Sequence, residues 1–340
     1  MYHLAPAALI GFACFAAPAQ AADIDHEALR DRALTVIEMQ FGAFRDAAET
    51  LAEMSVSYCA AEIGQDAHTD AFKQTWLAWA PLDAYQFGPI VQNGAVLSVG
   101  FWPDKKDYVG RGLKALLTES PEALQDPATI AQHSAAVQGL PAIERLLFDD
   151  LPACPAVIGI SAHLHGMANQ LYADWFNKGG WADLARAPSP ENPVYQSADE
   201  FTKVLFTAAD FELTRIGDAR LGRPLGTFNA PRPTRAEAWR AGLSFELIDA
   251  QLLGIGTLLE QGFAGDNNLA EIDELLDRIN ETRMRIAAVG TPLDLAVTDP
   301  VTRFRVEALQ TRIGSLQRQV NESVGPAIGV ETGFSAADGD

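Results

Sequence analysis

The chain has 340 residues, and 45 acidic against 25 basic residues give it a formal net charge of -20. That balance excludes a nucleic-acid binder, which needs clustered Lys and Arg to displace phosphate counterions, and it excludes adsorption to an anionic lipid surface. With 48% hydrophobic and 21% charged residues, the composition is that of a globular chain with a large core.

Residues 1–21, an apolar run closing on Ala19-Gln20-Ala21, read as a secretory signal peptide with a small-x-small cleavage site. Cys59 and Cys154 then remain in the mature chain. In an oxidising compartment they either form one disulfide or persist as two buried thiols.

Beyond the leader, apolar residues recur with helical spacing. The first stripe runs over 25–58 through Leu29, Ala33, Val36, Ile37, Phe41, Phe44, Ala48, Leu51 and Tyr58. Further stripes predict helices over 66–87, 127–148, 155–177, 197–220, 234–262, 268–289 and 300–322. Their starts carry capping signals. Asp126-Pro127 and Asp299-Pro300 pair an N-cap with a first-turn proline, and Ser197-x-x-Glu200 and Thr234-x-x-Glu237 fit capping boxes. One short β-hairpin is predicted over 90–99, turning at Asn93-Gly94. Segments 178–196 and 221–233, rich in Gly and Pro, read as long loops. The expected fold is all-α: two four-helix bundles, 22–190 and 191–340, with at most that one hairpin.

Few residues carry a chemical signal. No H-E-x-x-H, G-x-S-x-G, P-loop, dinucleotide glycine motif or Glu-x-x-His pair is present. His163 and His165 point roughly 200° apart on one helix and do not readily share a metal. Asp83 extends the buried stripe of Phe72, Trp76 and Trp79, so it is either paired with an arginine, protonated or bound to a ligand. Glu144 lies at the edge of an apolar stripe beside Pro141, which either interrupts a helix or marks its restart after Gly139. A carboxylate beside irregular backbone suits a small cation, and equally an ion pair.

Several segments together resemble the imelysin family. They are Trp76-Leu-Ala-Trp79 through Gly88-Pro89, Phe101-Trp-Pro-Asp104, Gly139-Leu-Pro-Ala-Ile-Glu144-Arg-Leu-Leu-Phe148, Arg220-Leu-Gly-Arg-Pro-Leu-Gly226, Glu237-Ala-Trp-Arg240-x-Gly-x-Ser244, and Gly329-Val-x-x-Gly-Phe334 to Asp338-Gly-Asp340. The resemblance implies two four-helix bundles, a periplasmic or envelope-attached location in a bacterium, and a role in iron uptake. It also implies a G-x-H-x-x-E motif, for which the family is classed with metallopeptidases. Here Gly139 and Glu144 match, and Pro141 stands where the histidine would be.

The leading expectation is a binding protein for a metal ion or metal chelate, iron or another divalent metal. Its pocket would lie where the bundles meet, lined by Asp83, Trp102, Asp104, Pro141, Glu144, Arg220 and Arg240. Glu144 and Asp83 would be hard oxygen ligands, and the arginines would orient them or hold an anionic chelator. A metal-dependent endopeptidase is the first alternative. The second is a scaffold docking on another envelope protein through the two long loops.

Overall fold

The structure is a computed structural model that describes residues 24–149, 151–265 and 269–330. The expected signal peptide, residues 1–21, and the terminal Asp338-Gly-Asp340 lie outside the described residues. No helix among the described residues is long and apolar enough to cross a membrane.

Helix α1 (His26–Cys59) starts at Asp25, whose carboxylate accepts the Ala28 N–H at 3.0 Å. Its predicted stripe from Leu29 to Leu51 is buried. Helix α2 (Gln65–Trp79) ends earlier than its periodicity suggests, because Pro81 tightens residues Ala80–Ala84 into a 3-10 turn that carries Asp83 inward. The predicted hairpin is absent. Asn93-Gly94 instead links two helical turns, α3 (Pro89–Gln92) and α4 (Ala95–Val99), with Gly94 at φ 63°. A two-residue turn signal fits a helix-to-helix corner as well as a strand reversal.

Helices α5 (Tyr108–Leu116), α6 (Pro121–Gln125) and α7 (Pro127–Gln132) are short. The predicted helix 127–148 is broken at 133–139 and resumes as α8 (Leu140–Phe148), with Pro141 in its first turn. Proline lacks an N–H where the first turn leaves such groups unpaired anyway. Helix α9 (Ala156–Phe176) follows, and the first predicted loop contains α10 (Trp181–Arg186). Helix α11 (Ala198–Thr214) widens into a π segment over Arg215–Leu221, and α12 (Gly222–Leu225) is a single turn.

The Thr234-x-x-Glu237 capping box does not form. Residues 236–243 are irregular, Glu237 is buried, and α13 (Ser244–Thr257) begins at Ser244 before widening at Leu258–Ala264. Helices α14 (Ala270–Ala287), α15 (Leu293–Ala296), α16 (Pro300–Gln319) and α17 (Gly325–Ala327) complete the order. Asp126 and Asp299 cap α7 and α16 as their sequences predict.

Two rings of four helices result. In the first, α1 packs on α2 and α9, and both of these pack on α8; in the second, α11, α16, α14 and α13 pack in cyclic order. The rings meet where α1 lies against α11 and the segment Leu258–Ala264, and where α13 lies against α2 and the Asp83 turn. A single apolar cluster runs through both rings. Cys59 and Cys154 are joined in a disulfide that ties the end of α1 to the approach to α9, with Cα atoms 5.8 Å apart.

Candidate functional site

A cavity of about 400 Å³ opens between the first ring and the irregular segment before α13. Its walls come from Trp76 of α2, the 101–109 connection, Pro141, Glu144 and Arg145 of α8, and residues 234–240. Gly139 sets the position of α8. A Cβ there would lie 2.3 Å from the carbonyl oxygens of both Ser98 and Val99, so only glycine lets the start of α8 rest on the end of α4.

Glu144 follows one turn later and is 4% exposed. Its Oε1 accepts the backbone N–H groups of Arg240 at 3.0 Å and Ala241 at 3.1 Å, and its Oε2 makes no hydrogen bond among the described residues. Burial pushes the carboxyl up to about 7, against the opposing pull of the Ala241 N–H and of Arg240. The result is a carboxyl anchored through one oxygen that exchanges its proton near neutrality.

Around it stand Trp102 and Trp239 as aromatic walls and Lys105, Arg145, Arg235 and Arg240 as cations. Arg240 Nε and Arg145 Nε share Asp149 at 2.6 and 2.7 Å, and Arg145 also binds Asp107. Asp104 is occupied locally, since its two oxygens accept the N–H groups of Tyr108 at 2.8 Å and Val109 at 3.0 Å and so hold the start of α5.

Of the residues chosen from the sequence, Trp102, Asp104, Pro141, Glu144 and Arg240 line this cavity. Asp83 and Arg220 do not; they form a separate buried cluster. Asp83 binds Arg215 at 2.9 Å and also Arg220. Arg220 Nε donates to Glu237 at 2.8 Å, and its Nη1 lies 3.3 Å from Glu212. Residues five apart are about 140° apart around an α-helix. The π segment bonds i to i+5 and so turns Arg215 and Arg220 toward the same carboxylate. Burial opposes the charge of Asp83, but Arg220 and Arg215 outweigh it and hold the carboxyl below its ordinary range.

The cluster and the cavity touch through two features. The Arg220 guanidinium lies 5.6 Å from the Trp102 ring centre, and Glu237 and Arg240 share one short segment. Within that segment Ala238 is buried with φ 51°, a left-handed conformation uncommon for a residue with a Cβ. The two histidines serve elsewhere: His163 faces Gln138 and His165 faces Asn169.

Sequence reasoning missed Glu212, Arg215 and Glu237 from the cluster and Trp239, Arg235 and Lys105 from the cavity. Glu237 and Trp239 stand within a motif used for the resemblance, but the helix expected over 234–262 put Glu237 in a capping box and gave Trp239 no role. Nothing in the sequence marks the π turn that redirects Arg215.

The family model for imelysin (Peptidase_M75) matches residues 39–320. The chain belongs to the imelysin family. An imelysin-like protein from Psychrobacter arcticum 273-4 shares the fold at TM-score 0.76 and 20% identity, over 93% of this chain and all of that one. A "putative iron-regulated protein A precursor" from Parabacteroides distasonis ATCC 8503 superposes at TM-score 0.69 and 14% identity, over 89% of this chain and 97% of the other. No curated protein matches the chain. Gly139 precedes α8, Glu144 lies on it, and Pro141 in its first turn forms part of the cavity wall.

Proposed function

We propose that this imelysin-like protein is a periplasmic or envelope-attached binding protein that contributes to iron or other metal uptake, with its cargo held in the Glu144 cavity. The observation that carries the reading is Glu144 itself: a buried carboxyl fixed through Oε1, with Oε2 uncommitted, in a concave site lined by tryptophans and cations. The iron-regulated name of one structural relative favours iron as the metal.

The donor set decides the form of the cargo. Among the described residues, no group of three or more His, Cys, Asp or Glu is placed to hold a metal ion. Asp83 is committed to guanidiniums, Asp104 to backbone N–H groups, and Pro141 has no ligand atom. The residues present therefore do not fit a bare ion held by protein alone. They suit a metal that brings its own anionic chelator, whose carboxylates would meet Lys105 and Arg235 while Trp102 and Trp239 cover its faces.

The same donor count disfavours the endopeptidase alternative, which needs three protein ligands and an open position. Calorimetric titration of the chain from residue 22 with ferric citrate, citrate and uncomplexed nickel separates these readings. Ferric citrate should bind, and Glu144→Gln should weaken it at least tenfold. Equal binding by the Glu144→Gln variant, or binding of uncomplexed nickel as tight as that of the chelate, would overturn the proposal.

A further inference from the structure

Glu212 is fully buried near the end of α11, and neither of its carboxylate oxygens has a hydrogen-bond partner among the described residues. Arg220 Nη1, its nearest cation, also lacks one, because the 3.3 Å approach to Oε1 is not aligned for a hydrogen bond. The better donors of Arg220 are spent elsewhere, Nη2 on Asp83 and Nε on Glu237. Every neighbouring charge is accounted for. The 3-10 turn supplies Asp83, the π segment supplies Arg215 and Arg220, and the 236–241 segment supplies Glu237. From α13, Ser244 donates its hydroxyl to the Glu237 carbonyl, and from α16 Gln310 donates to the Gly217 carbonyl; neither is charged. Three buried carboxyl groups thus face two guanidiniums, of which Arg220 is buried and Arg215 stands at the partly exposed edge.

An ionised carboxylate buried without hydrogen bonds costs several kcal/mol, and proteins avoid that cost by keeping such a group neutral. We propose that Glu212 is a proton-binding site: it keeps its proton below neutral pH, and that proton leaves Arg220 free to bridge Asp83 and Glu237 and so to fix the segment that anchors Glu144. When the proton departs as hydroxide rises, the O–H bond breaks, the electron pair stays on Glu212, and Arg220 Nη1, backed by the weaker pull of Arg215, becomes its counter-charge. Arg220 then has three ionised carboxylates to serve, and Glu237 is the one carried by irregular backbone.

Burial places the Glu212 carboxyl at about 7, against the attraction of Arg220, which agrees with the geometry. The strained Ala238 next to Glu237 makes the segment responsive, because its conformation persists only while both of its ends are held. The inference does not depend on what the cavity binds, and its test uses no cargo.

The experiment is difference infrared spectroscopy of the intact chain, from about pH 5 to 9, read alongside amide hydrogen exchange at Arg240 and Ala241. In a Glu144→Gln background, which removes the cavity carboxyl that also titrates near neutrality, a protonated carboxyl stretch should remain at pH 7 and vanish on titration. It should be missing when Glu212→Gln is added. With intact Glu212, exchange at the two amides should accelerate by roughly tenfold beyond its intrinsic pH dependence as the band disappears, and the Glu212→Gln chain should stay protected. Absence of the band at pH 7, or the same exchange profile with and without Glu212, overturns the proposal. If Glu212→Gln does not fold, a Glu144→Gln, Glu237→Gln chain decides, because burial raises the Glu237 carboxyl too: a band titrating near neutrality supports the proposal and its absence ends it.

Discussion

Arg220 of the second helical ring binds Asp83 of the first, and the same guanidinium donates to Glu237 beside the cavity. One residue therefore ties the ring interface to the segment that walls the Glu144 cavity. Truncating it leaves buried Glu237 without its guanidinium and Asp83 with Arg215 alone, which costs more than the pairs themselves contribute. Arg220→Ala should lose about 3–5 kcal/mol in chemical denaturation. Arg220→Lys should recover little of this, since a single ammonium cannot present separate nitrogens to Asp83 and Glu237. A loss below about 1 kcal/mol for the alanine variant would contradict the role assigned to Arg220.

Glu144 gives stability a defined pH dependence. Its folded carboxyl sits at about 7, above the ordinary 4.5, so the folded state binds more protons than the unfolded state between these values. Stability from this group is complete below about pH 4.5 and is lost as pH rises through 7. Glu144→Gln removes the titrating group while keeping an acceptor oxygen for the Arg240 and Ala241 N–H groups. The wild type should therefore lose stability relative to Glu144→Gln between about pH 5 and 8, by an amount on the order of 2–3 kcal/mol. Parallel melting curves across that range would disprove the buried-neutral reading.

Gly139→Ala should destabilise by about 1–3 kcal/mol, because its methyl would press on the Ser98 and Val99 carbonyl oxygens and push α8 away from α4. Since α8 carries Glu144, cargo affinity should fall in the same variant. Unchanged stability and unchanged affinity for ferric citrate would show that the contact is more forgiving than its 2.3 Å spacing implies.

Reduction should matter as well. The Cys59–Cys154 bridge spans 95 positions of sequence, and closing a loop of that length stabilises by roughly 4–5 kcal/mol in the chain-entropy model. A Cys59→Ser, Cys154→Ser chain, or the wild type under reductant, should unfold at markedly lower denaturant. Identical midpoints with and without reductant would count against any stabilising role.

The helices are largely legible because burying one face leaves a periodic trace: the stripe of α1 from Leu29 to Leu51 is readable in the sequence, although buried Arg30, Leu34 and Gln40 stand outside it. What escaped were departures from regularity. Pro81 and the break at 133–139 cut predicted helices, Asn93-Gly94 turned between helices rather than strands, and Glu237 left its expected cap for Arg220. The site was legible to the extent that its residues sit in sequence-local motifs, as Glu144, Trp102 and Arg240 do. The partnership of Glu212, Arg215 and Arg220 depends on a widened turn, whose cause is tertiary packing, and local propensity carries no record of it.

The proline at 141 has an evolutionary corollary. Gly139 positions α8, two backbone amides secure Glu144, and neither task uses the side chain at 141, which only faces the cavity. That position is a replaceable panel in a fixed frame. A donor placed there, as in Pro141→His, would set an imidazole in the wall beside Glu144 without redesigning the architecture, so chains of one fold can differ in the chemistry of this chamber through one codon.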